Sequence, residues 1–209
     1  MKLNIISISF VGVYSKPQTR IPTLENKFCK DLFNQPYETF NGLSPDGFTV
    51  VINGKPFPLL VINPQKIIFK AKDKDNLSKY INAVKAELAK INFSTDYSAF
   101  GINWEIQWID LPSSADMWLW NRFVGDNIKT DSRFQSCNAI SMRYGVNDSE
   151  EFNISFEPRA GIRNGIFCSV NHHHVYSLEN LPNDDELGEM IKNSEDLLFN
   201  KYIPLIIGE

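Results

Sequence analysis

Residues 100–108 carry the clearest hydrophobic pattern in the chain: Phe100, Ile102, Trp104, Ile106 and Trp108 fall on one side of an extended backbone, and Gly101, Asn103, Glu105 and Gln107 on the other. This alternation predicts a strand with one buried and one wet face. The same period recurs within Leu3–Val13 and over Ile140–Val146, Phe152–Phe156 and Ile166–Val170, while the apolar runs Phe48–Ile52, Phe57–Ile62 and Lys66–Ala71 read as strands set off by turns. Asn53-Gly54 suits the positive φ values of a tight hairpin turn. Helical spacing replaces it at Leu24, Phe28 and Leu32 after Pro22, and along 75–92, where Leu77, Tyr80, Ile81, Val84, Leu88 and Ile91 form one stripe. It returns over 112–123, where a serine of Pro112-Ser113-Ser114 is expected to cap the first amides. A last helix is expected over 184–202, with Asn183 and Glu186 spaced as a capping box and Pro204 ending or kinking it. The stretches 33–47 and 125–138 read as polar loops.

Both parts of the chain therefore read β-α-β-β-β-α, and the expected organisation is two halves, 1–95 and 96–209, packed as one unit. The fold class is α+β, an antiparallel sheet covered by long helices. This element order resembles the TATA-box-binding-protein-like and helix-grip architectures. The resemblance rests on a pseudo-repeat of pattern without a diagnostic motif, so it implies a fold and transfers no function.

Composition narrows the classes. The chain has 209 residues, 43% of them hydrophobic, enough for a substantial core. A net charge of −4 makes nucleic acid and anionic membrane unlikely partners, and no apolar run reaches the ~20 residues of a membrane helix. Cys29, Cys137 and Cys168 are few, odd in number and far apart, which suits reduced thiols and a cytoplasmic location. Asn4, Ser7 and Ser9 interrupt the first apolar segment, which reads as a strand rather than a secretory leader. Phosphate loops, dinucleotide fingerprints, nucleophile elbows and the H-E-x-x-H zinc motif are all missing.

What chemistry remains is scattered. All three histidines stand in one run, His172-His173-His174, at a strand end; His172 and His174 should share a face about 6.5–7 Å apart at Cα, with His173 opposite. Two imidazoles do not complete a metal site, and Cys168, about 13 Å away along a straight strand, cannot help. The expectation is therefore no metal and no cofactor. Asp148, Glu150 and Glu151 read as solvated hairpin residues and Asp184, Asp185 and Glu186 as helix-end charges. Trp118 and Trp120 lie about 200° apart on a helix, so one of the two should be the more exposed. With Arg143, Arg159 and His173 they form the candidate partner-binding set; Arg163 joins the arginines as a possible acidic-partner contact. The leading expectation is a non-catalytic protein-binding accessory, adaptor or immunity-type protein of a microbial system. The alternatives are a metal-dependent enzyme centred on His172 and His174, and a carrier of a small apolar ligand between sheet and helix.

Overall fold

A computed structural model describes residues 2–33, 37–41, 47–52, 58–93, 96–133 and 135–207. The fold is mixed α+β. Its strands are β1 (Lys2–Tyr14), β2 (Tyr37–Asn41), β3 (Phe48–Ile52), β4 (Pro58–Ile62), β5 (Lys66–Ala71), β6 (Tyr97–Ile109), β7 (Ile140–Asn147), β8 (Glu150–Pro158) and β9 (Ile166–His174), hydrogen-bonded in the order β2-β3-β4-β5-β1-β6-β9-β8-β7. Its helices are α1 (Asn26–Phe33), α2 (Lys74–Lys90), α3 (Ala115–Phe123), α4 (Asp126–Lys129), α5 (Asp184–Leu197) and α6 (Ile203–Ile207), with a π-helical turn, Leu198–Tyr202, joining the last two. Contacts divide the chain into two compact units: Ile8–Ile102 with His173–Ser194, and Met1–Ser7 with Asn103–His172 and Glu195–Glu209.

In the first of these units the antiparallel register sets apolar residues opposite each other, Phe10 with Phe69, Leu60 with Phe69, Ile62 with Ile67 and Val50 with Leu60. All are buried, and at roughly 1.5–3 kcal/mol per fully buried side chain such a face dominates the unit's stability. Helix α2 packs on β5 with Leu77, Ile81, Val84 and Leu88 inward, and Asp73 caps it by accepting from the Asn76 amide at 2.9 Å. Helix α1 meets α2 through the edge-on rings of Phe33 and Tyr80, 4.7 Å apart. The expected capping box at α5 forms in full: the Asn183 amide donates to Glu186 and the Glu186 amide to the Asn183 side chain. Asp184 in turn accepts from Ser78 and Asn82 on α2, bonds that hold its carboxyl below the usual range.

The other unit is built around aromatic rings. Phe156 on β8 lies between Trp108 (5.8 Å) and Phe123 (5.7 Å), and Phe123 carries Trp118 edge-on at 5.9 Å. Trp104 meets Phe199 at 5.6 Å. Past Leu197 the helix widens, and the Ile203 amide bonds the Leu198 carbonyl five residues back. Pro204 explains the change, since its ring lacks an N–H and would press on the Asn200 carbonyl of a regular helix. The widened turn sets Tyr202 against Phe152 (5.0 Å) and Tyr144 (5.3 Å).

Several boundaries differ from the sequence expectations. The 33–47 loop contains an additional strand, β2, beside β3, and the 125–138 loop contains the single-turn α4. Helix α1 starts at Asn26, with Leu24 buried ahead of it, and Ser114 makes no side-chain cap on α3. The Asn53-Gly54 turn lies outside the described residues.

Candidate metal centre

Strand β9 delivers the histidines as alternation requires. His172 and His174 are 0% and 1% exposed on the core-facing side, whereas His173 is half-buried. Each buried imidazole lies flat on a phenyl ring: His172 on Phe152 at 4.0 Å and 11°, and His174 on Phe100 at 4.4 Å and 15°. Tyr176 sets its edge against His174 at 5.5 Å. The stacking fixes both ring planes, a preorganisation that ordinary surface histidines lack.

Glu150 opens β8 on the same phase as Phe152, Ile154 and Phe156, so its side chain is directed to the core face while Glu151 points the other way and pairs with Arg143. A register shift between Gly145 and Asn147 places Asn147 opposite Glu150, and the Asn147 side-chain Nδ2 donates to Glu150 Oε2 at 2.9 Å. Glu150, His172 and His174 can each offer one ligand atom, all within 4.8 Å of one another. A tetrahedral ion with bonds of about 2.0–2.1 Å separates its donors by about 3.3–3.4 Å. The set therefore needs a contraction of about 1.5 Å at most, within reach of a glutamate side chain on a hairpin. A cavity of about 280 Å³ opens beside His174, bordered by Tyr176, Glu186, Glu189, Met190 and Asn193.

Glu150 is the residue that sequence reading missed. Its proximity to Asp148 and Glu151 suggested a solvated turn, but its period-2 phase with three buried apolar residues was the available signal. The expectation of no metal rested on the lack of a predictable third ligand; Glu150 is a side chain that could offer one. Cys168 and Cys29 are buried; burial pushes the Cys29 thiol up to about 11 and that of Cys168 higher still.

Within the partner-binding set the two arginines stand apart. Trp118 and Trp120 are both half-buried on α3. Arg143 is exposed and bridged to Glu151 on the outer strand pair. Its register partner is Asn153, six residues from Arg159, which is about 20 Å along a strand. Arg159 instead shapes the turn after β8, its amide donating to the Gly165 carbonyl at 2.8 Å. The Arg163 carbonyl accepts from the Ala115 amide at the start of α3.

No protein-family model, curated protein or solved structure matches this chain. Among the described residues no helix is long and apolar enough to cross a membrane.

Proposed function

We propose that this protein binds a divalent transition-metal ion through Glu150, His172 and His174 and is a metal-dependent enzyme. The convergence of the three ligand atoms carries the reading. Two imidazoles and one carboxylate suit zinc, iron(II) or manganese, and three protein ligands leave coordination positions for water or substrate, as catalytic sites do and closed structural sites do not. That His174 also borders a cavity supports access for such a ligand. The fold is of the TATA-box-binding-protein-like tandem kind, a reading supported by a strand order in which β1 and β6 are neighbours and each is followed outward by the last strand of its own meander. Free, widely spaced cysteines support a cytoplasmic setting.

The test is metal content with cobalt(II) spectroscopy. The wild-type chain is expected to take up about one equivalent and to show tetrahedral cobalt absorption, lost in His172→Ala and weakened in Glu150→Gln. An absence of uptake and of absorption would leave the cluster a polar part of the core.

A second reading keeps protein recognition on α3 and α4, where Met117 (39% exposed) and Ile128 (41%) accompany the half-buried Trp118. With a captured partner in hand, Met117→Asp and Trp118→Ala should release it without lowering the melting temperature. Retained capture by both variants would move recognition away from this surface.

A further inference from the structure

Helix α2 ends in a motif that builds a cavity wall. Asn92 takes the left-handed conformation (φ 53), its amide bonds the Ala89 carbonyl at 3.1 Å, and the Phe93 amide bonds the Leu88 carbonyl at 2.9 Å. This is the Schellman arrangement, in which the residue after the left-handed position folds back on the helix's last turn. Asparagine tolerates that conformation better than most residues. Phe93 is thereby brought to the side of Leu88.

Across from this turn, residues 178–181 are held by a two-way backbone bridge between Tyr97 and Leu178 and by Lys85, whose Nζ donates to the Leu181 carbonyl at 2.6 Å. Between them lies a cavity of about 350 Å³. Leu88, Ala89, Phe93, Tyr97 and Leu181 give it apolar walls, and Asn92 and Asn180 add amides. Among the described residues Lys85 is the one charged side chain lining it, and no carboxylate does. An ammonium has three donors, and the Leu181 carbonyl takes one of them.

We propose that this cavity binds a small amphipathic organic anion, a carboxylate with an apolar tail. The carboxylate pairs with Lys85 and the tail lies against Leu88, Phe93 and Tyr97. The helix C-terminus opposes an anion only weakly, because the Schellman bonds already occupy the Leu88 and Ala89 carbonyls, and the charge-assisted bond to Lys85 outweighs it. A volume of this size suits a ligand of roughly 10 to 18 non-hydrogen atoms. The site uses none of the metal ligands and stands independently of the metal reading.

Octanoate and 1-octanol, titrated into the full chain and followed by calorimetry and amide NMR, separate charge recognition from greasy adsorption. Octanoate is expected to saturate one site with a Kd of about 0.1–1 mM, shifting Phe93 and Tyr97 resonances, and octanol to bind at least about tenfold more weakly. Lys85→Met should weaken octanoate at least about tenfold, and Lys85→Arg, which keeps the charge and the bond to Leu181, should retain it. Equal binding of the two probes, no saturation below 5 mM (roughly the weakest affinity such a ligand would show), or an unaffected Lys85→Met would overturn the proposal. Should Lys85→Met fail to fold, the probe comparison on the wild type decides.

Discussion

The two meanders use the same local rules and differ at one end. In β3-β4-β5 the core-facing residues Phe48, Val50, Leu60, Ile62, Ile67, Phe69 and Ala71 are all apolar. In β7-β8-β9 the corresponding phase carries Phe152, Ile154 and Phe156, then Cys168 and Val170, but it begins with Glu150 on one strand and finishes with His172 and His174 on the next. Placing a carboxylate and two imidazoles where the other meander has hydrocarbon sacrifices transfer energy and demands polar partners. A position that tolerates this loss points to a use that hydrocarbon cannot serve.

The largest effect should come from the apolar meander. Phe69→Ala or Leu60→Ala is expected to cost about 3–5 and 2–5 kcal/mol in chemical denaturation, since each empties a fully buried site. A cost below about 1 kcal/mol would mean that this face is not the tightly packed core described.

Next in size is the effect of metal on stability. Zinc or manganese at 100 times its Kd should add about 2.7 kcal/mol, raising Tm by roughly 5–10 °C in a chain of this length. His172→Leu should abolish that shift while leaving the metal-free protein within about 1.5 kcal/mol of wild type, because an apolar side chain of similar volume suits the Phe152 surface. If His172→Leu unfolds the metal-free protein, the histidine belongs to a structural polar network.

Adjacent carboxylates sharpen the contrast further. Glu150→Gln should weaken metal binding by about 10- to 100-fold, whereas Glu151→Gln, at a carboxylate that accepts from Arg143 and Asn153, should change neither metal affinity nor stability by more than about 1 kcal/mol. Equal effects at the two positions would remove the distinction between core face and open face.

The smallest expected effect is in thiol chemistry. Cys137 is half-exposed and should react with a disulfide reagent in the native state, while Cys29 and Cys168 stay silent. The stability held by protonated Cys29 is complete below the ordinary thiol pKa and is lost as pH rises toward about 11, so alkaline weakening should begin near pH 9. Native labelling of all three thiols at pH 7 would contradict the burial.

Much of the fold is legible in the sequence because strong periodicity coincides with buried faces, as in 100–108, and because Asn183 and Glu186 satisfy each other locally. Strand β2 was not legible: its short sequence Tyr37–Asn41 lies between Pro36 and Gly42 in a stretch with few apolar residues, and β3 supplies its pairing from a distance. The π turn follows from Pro204 only once the helix is known to continue past it. Half of the site was legible as well. Alternation placed His172 and His174 on one face, but Glu150 reaches them through the β7-β8 register, a non-local relation that composition near a turn conceals.

Metal content of the purified wild-type chain, measured alongside Glu150→Gln and His172→Leu, tests the central claim most directly. The expected result is about one divalent transition-metal ion per chain after reconstitution and desalting, with reduced retention in Glu150→Gln and none in His172→Leu. Retention below about a tenth of an equivalent in the wild type, or the same content in all three proteins, would contradict it.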